Sequence, residues 1–157
     1  MKTVRDILNS KQKVFNTIGP DTLVIDALVQ LNSVNLSYLI VMDGDRYKGI
    51  FSERDYTRNV ILKGRASNTT TVKEAMSVDL PMVALSDSAE SCINLMNAHK
   101  ARYLLVYDDE QRFTGVVTIH DILRLVIASK EDFFDHTLAG SLLEDDESLA
   151  LLSTEGP

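Results

Sequence analysis

The chain has 157 residues, 45% apolar and 25% charged, enough for one compact domain or two small ones sharing a core. A formal net charge of -7 argues against a general nucleic-acid binder, which carries a basic excess, and the single cysteine, Cys92, excludes an intrachain disulfide. No stretch has the uninterrupted apolar length of a membrane span, and no signal core follows Met1-Lys2-Thr3-Val4-Arg5-Asp6, so a cytoplasmic globular protein with no membrane or nucleic-acid partner is expected.

Val4, Ile7 and Leu8 lie one helical turn apart and predict a short amphipathic turn. Residues 13–18 alternate, with Val14, Asn16 and Ile18 on one side and Phe15 and Thr17 on the other, as a strand does. Gly19-Pro20-Asp21-Thr22 is a turn that opens a helix over 23–34, with Leu23, Ala27, Leu28 and Leu31 on one face. The apolar run 38–42 reads as a buried strand, Asp43-Gly44-Asp45 as a hairpin turn, and 47–51 as the returning strand. The chain breaks at Ser52 and a helix is predicted over 53–62, followed by a polar linker at 63–68.

The pattern then restarts. Residues 72–76 echo 4–8, 81–85 form a strand, and 88–98 form a helix with Ala89, Cys92, Ile93 and Met96 in the places of Val24, Ala27, Leu28 and Leu31. Residues 103–107 echo 38–42, the turn Asp108-Asp109-Glu110-Gln111 is one residue longer, 113–117 return, and 119–128 begin the last helix. Cys92, Met76, Met82 and Met96 are expected in the core. Residues 131–157 do not repeat; Phe133, Phe134 and Leu138 predict further helix, and Glu144-Asp145-Asp146-Glu147 is a solvated acidic run.

The sharpest signal is a pair of matched decamers. Residues 49–58 read Gly-Ile-Phe-Ser-Glu-Arg-Asp-Tyr-Thr-Arg, and 115–124 read Gly-Val-Val-Thr-Ile-His-Asp-Ile-Leu-Arg. Gly49 matches Gly115, Ser52 matches Thr118, Asp55 matches Asp121 and Arg58 matches Arg124, which marks an internal duplication. The expected fold class is α/β in the α+β sense: two pseudo-symmetric repeats, 1–66 and 67–130, each β-α-β-β-α after a short helical turn. Each sheet has an uncovered apolar face, so the repeats are expected to pack sheet to sheet, with 131–157 as a helical, acidic tail.

The chemistry of the two strand–helix junctions suits an adenosine phosphate. An ionised carboxylate, Asp55 or Asp121, can accept both hydroxyls of a ribose. A helix start favours anions, and Ser52 and Thr118 stand there to cap the helix or donate to a phosphate. Arg54 and Arg58 add cations where the helix dipole disfavours them, which an anion nearby or a pair with Glu53 or Asp55 explains. The bland alternative is that Ser-x-x-Asp and Thr-x-x-Asp are capping boxes and nothing more.

The duplicated unit resembles a tandem pair of CBS (cystathionine-β-synthase) domains, a Bateman module, over about residues 4–130. The resemblance rests on Gly-apolar-x-[Ser/Thr]-x-x-Asp in both halves, and the Ser52-Glu53-Arg54-Asp55 form is similar to stand-alone bacterial CBS-pair proteins. It implies that AMP, ADP, ATP, NAD(H) or S-adenosylmethionine binds in the cleft between the repeats. On that resemblance Asp55 and Asp121 take ribose hydroxyls, Ser52 and Thr118 lie near phosphate, and Val14, Tyr38 and Tyr103 are candidates to line the adenine. His120 stands in place of Arg54, so it either holds phosphate less firmly as pH rises or faces solvent. Arg102 either reaches a phosphate or is a surface arginine. Leu105 replaces a proline common in the family.

No zinc-protease motif, P-loop, nucleophile elbow or Rossmann fingerprint occurs, and His99 and His136 lack a partner at metal-ligand spacing. The expected function is therefore a regulatory adenine-nucleotide sensor rather than an enzyme. It requires no cofactor or metal, forms a homodimer and signals to a separate protein. The alternatives are a ligand-free dimerisation scaffold and a nucleotide hydrolase using Asp55 or His120.

Overall fold

A computed structural model describes residues 2–11, 16–34 and 36–128. The expectations for Val14, the 131–157 tail and His136 lie outside the described residues.

The elements run α1 (Val4–Ser10), β1 (Thr17–Ile18), α2 (Val24–Val34), β2 (Tyr38–Asp43), β3 (Arg46–Ser52), α3 (Glu53–Tyr56) and a π turn (Thr57–Ile61). Then follow α4 (Val72–Ala75), β4 (Met82–Ala84), α5 (Ala89–His99), β5 (Tyr103–Tyr107), β6 (Phe113–Thr118) and α6 (Ile119–Ala128). The mixed α/β fold therefore contains the predicted duplication, with one three-stranded sheet in each repeat, ordered β1-β2-β3 and β4-β5-β6. In both sheets the first pair is parallel and the second antiparallel. The hairpins even bulge at matching places, between Val41 and Met42 and between Val106 and Tyr107.

Local chemistry sets the element ends. Gly44 takes φ +63° in the first hairpin turn, a conformation that costs glycine little. The second turn has no glycine. Gln111 takes φ 63° there, and the Asp108 carboxylate holds the loop by accepting from the Glu110 and Arg112 amides, each at 2.9 Å. Capping boxes open α1 (Thr3 with Asp6), α3 (Ser52 with Asp55) and α4 (Thr71 with Glu74).

The chain forms two compact units that interleave in sequence. One lies within Gln12–Asp79; the other joins residues up to Lys11 with those from Leu80 onward. The short helix before each sequence repeat thus belongs to the unit that holds the other repeat's sheet. The hydrogen bonds match closely. The Val72 and Lys73 amides donate to the carbonyls of Thr22 and Pro20, and the Val4 and Arg5 amides donate to those of Asp87 and Leu85. These bonds occupy amides at each helix start that have no partner inside the helix.

Each unit has its own core. In the first, Val24, Ala27, Leu39, Val41, Phe51, Val60, Val72 and Ala75 are buried together. In the second, Val4, Ile7, Cys92, Ile93, Met96, Leu104, Val106 and Ile122 are. Cys92 is inert there, its thiol pushed up to about 12, mainly by burial. Met96 is buried and Met76 packs against the first core, but Met82 is exposed. On β4 only the central Val83 faces inward, because a three-residue strand puts its end residues on the same outer side.

A helix predicted as one piece over 53–62 instead changes winding at Thr57. The Thr57 hydroxyl bonds back to the Glu53 carbonyl, and the Leu62 amide reaches five residues back to the Thr57 carbonyl. The wider turn lets neighbouring residues serve α4 together: Asn59 donates to the Ala75 carbonyl at 2.9 Å, and Val60 joins the core with Val72 and Ala75.

Candidate functional site

The glycine that heads each decamer permits close approach. A Cβ on Gly49 would meet the Met76 sulfur and the Ser77 carbonyl oxygen, each at 2.8 Å, because Ser77 and Ile50 exchange amide–carbonyl bonds across β3. A Cβ on Gly115 would meet the two Leu8 methyls, at 3.3 and 3.6 Å. Met76 and Leu8 occupy matching sequence positions, five residues into the echoed segments 72–76 and 4–8, although Leu8 is still within α1 and Met76 caps α4. Gly49→Ala should therefore destabilise the fold by about 1–3 kcal/mol through overpacking against backbone. Gly115→Ala should cost less, since a leucine methyl can yield. Urea unfolding of both variants checks the ranking.

At the first junction Ser52 is the N-cap of α3 and is buried, as is Asp55. Asp55 Oδ2 accepts from the Ser52 amide and hydroxyl, both at 2.9 Å, while the Asp55 amide donates back to Ser52 Oγ at 3.2 Å. Asp55 Oδ1 accepts from the Ser77 hydroxyl at 2.5 Å. Burial raises the Asp55 pKa above its ordinary value; the bonds from Ser77 and Ser52 and the charge of Arg58 oppose it. Arg54 and Arg58 are exposed on the same helical segment. Tyr38 is buried directly across the strand pair from Ser52.

The second junction repeats the cap with different partners. Thr118 and Asp121 are buried. The Thr118 amide donates to Asp121 Oδ2 at 2.9 Å, and the Asp121 amide donates to Thr118 Oγ1 at 3.2 Å. Two cations then meet the same carboxylate. Lys11 Nζ is 2.9 Å from Oδ2, and Arg124 bonds Oδ1. Lys11 also donates to the Val116 carbonyl at 2.8 Å. Tyr103 lies across from Thr118, the Arg102 carbonyl accepts from the Ile119 amide, and His120 is half-buried in the first turn of α6.

The structure thus gathers Tyr38, Ser52, Arg54, Asp55 and Arg58 around one helix start, and Arg102, Tyr103, Thr118, His120 and Asp121 around the other. Sequence reasoning missed Ser77 and Lys11. Each follows the short helix that packs on its junction's strand, and only that packing reveals them. Both carboxylates do serve capping boxes, and the acceptor capacity left over differs between them. Among the described residues, the hydrogen-bond donors on Asp55 are the uncharged groups of Ser52 and Ser77, whereas Asp121 neutralises two cations. No group of three or more His, Cys, Asp or Glu side chains able to hold a metal ion occurs among the described residues, and no described helix is long and apolar enough to cross a membrane.

Comparison with known proteins matches the CBS domain model twice, at residues 4–61 and 72–128. The chain is 28% identical over 134 residues, 80% of its length, to CBS domain-containing protein CBSX3, mitochondrial, of Arabidopsis thaliana. It spans 65% of that relative and 21% and 36% of two longer curated relatives. Among solved structures, a CBS-domain protein from Burkholderia ambifaria aligns with TM-score 0.75 and 34% identity over 83% of this chain and 97% of that one. CBSX2 in complex with AMP aligns with TM-score 0.65 and 25% identity over 82% of this chain and 98% of that one.

Proposed function

Because the chain belongs to the CBS-domain family, we propose that it is a regulatory module that binds AMP or a related adenine nucleotide and passes the signal to a separate protein. The observation that carries the reading is Asp55: a buried carboxylate at a helix start that accepts from the Ser52 amide and from the Ser52 and Ser77 hydroxyls, with Arg54 and Arg58 on the same helical segment. A ribose hydroxyl can replace the Ser77 hydroxyl on Oδ1 one for one, and a second can use the remaining lone pair of that oxygen. The arginines suit phosphate oxygens. A related structure holding AMP supports the ligand class. ADP, ATP, NAD(H) and S-adenosylmethionine share the adenosine and are weaker candidates.

We assign the output to a cytoplasmic homodimer. Ile25 and Val29, one turn apart on α2, are exposed apolar residues that a second copy can cover. The capping boxes favour one competing reading, a scaffold in which both carboxylates are purely structural. Calorimetry of the full chain against each nucleotide separates the two, with light scattering to read the oligomer. AMP is expected to bind most tightly. Absence of heat and of thermal shift with every nucleotide supports the scaffold.

A further inference from the structure

We infer that Lys11 is an intrachain occupant of the second junction, so that the chain holds one adenine nucleotide, at Asp55, and keeps Asp121 for itself. The inference rests on the nucleotide reading above and specifies its stoichiometry and the residue that sets it.

The two junctions share a motif but not an electrostatic state. The Asp121 side chain is 2% exposed, and Oδ2 is already filled by the Thr118 amide and the Lys11 ammonium. Its other oxygen takes Arg124. A ribose diol is neutral. To take the place that Lys11 holds on Oδ2 it must expel an ammonium ion and leave the buried carboxylate with Arg124 as its remaining cation, an exchange that loses Coulomb energy. At Asp55 the corresponding exchange swaps one hydroxyl for another and separates no charge.

Lys11 is also held in place independently of Asp121. Its ammonium bonds the Val116 carbonyl on β6, and its amide caps the end of α1 through the Leu8 carbonyl at 3.3 Å. Leu8 in turn lies over Gly115. The same lysine therefore fastens α1 to the strand and fills the junction.

Calorimetry of the full chain with AMP tests this. The unaltered protein is expected to bind one AMP per chain, and Asp55→Asn to weaken that binding at least tenfold. Lys11→Met, which keeps the aliphatic stem, is expected to add a second, weaker equivalent, while Lys11→Arg stays at one. Two AMP per chain in the unaltered protein overturns the inference, and so does a folded Lys11→Met that remains at one. If neither protein binds AMP, it is the nucleotide reading that fails. The lysine contact is then judged by hydrogen exchange at the Val4 and Arg5 amides. At least tenfold faster exchange in Lys11→Met upholds the fastening role, and unchanged exchange overturns it.

Discussion

Asp121→Ala is expected to destabilise the protein by about 3–4 kcal/mol. Removing one member of a buried ion pair typically costs about 3–5 kcal/mol, and the lower end applies because Lys11 and Arg124 both reach solvent. Loss of the N-cap partner on the Thr118 amide adds part of a further ~1 kcal/mol. Urea unfolding gives the total. Hydrogen exchange gives the cause: Val4 and Arg5 amides should exchange faster in the variant, since the carboxylate is one of the two groups that hold Lys11. A loss below 1 kcal/mol would mean that the two cations contribute nothing at this site.

Asp55→Asn should do the reverse, sparing the fold and harming the binding. The asparagine oxygen can still accept from the Ser52 amide, and its amide can donate to Ser77 Oγ, so stability should change by about 1 kcal/mol or less. A ribose hydroxyl loses a charged acceptor, worth about 1.5–3 kcal/mol, which predicts a tenfold to hundredfold weaker AMP complex. Affinity in the unaltered protein should also fall on acidification, and begin to do so above the ordinary aspartate value of 3.8, because burial raises the Asp55 pKa. The effect on stability has the opposite sign. A carboxyl with a raised folded-state pKa contributes stability below 3.8 and loses it as pH rises through the raised value. Acid should thus weaken the ligand complex through the same group whose protonation favours the fold. Titrations of affinity and of unfolding, compared with Asp55→Asn, read the two trends.

Much of this was legible in the chain. The matched decamers gave the duplication, and apolar runs such as 38–42 and 103–107 gave the strands, because a strand buried on both faces leaves an unbroken signature. Ser52 with Asp55, and Thr118 with Asp121, read correctly as helix starts. What stayed hidden depends on partners far apart in sequence. Apolar spacing says that Val4 and Ile7 are buried, but not that they are buried with Ile93 and Leu104. Ser77 and Lys11 look like linker residues until α4 and α1 are docked. The π turn at Thr57 answers to Ala75, and nothing near Thr57 announces it.

The interleaving of the two units also sets an order on synthesis. Every piece of the unit within Gln12–Asp79 leaves the ribosome as one continuous stretch, so it can assemble while the rest is still being translated. The other unit cannot. Its first helix is made before that stretch and finds its first partners, Leu85 and Asp87, only about eighty residues later, with β6 and α6 later still. Closing that long loop is the slow, entropically costly event, and until it happens the apolar face of Val4 and Ile7 is the part of the nascent chain most open to a wrong partner.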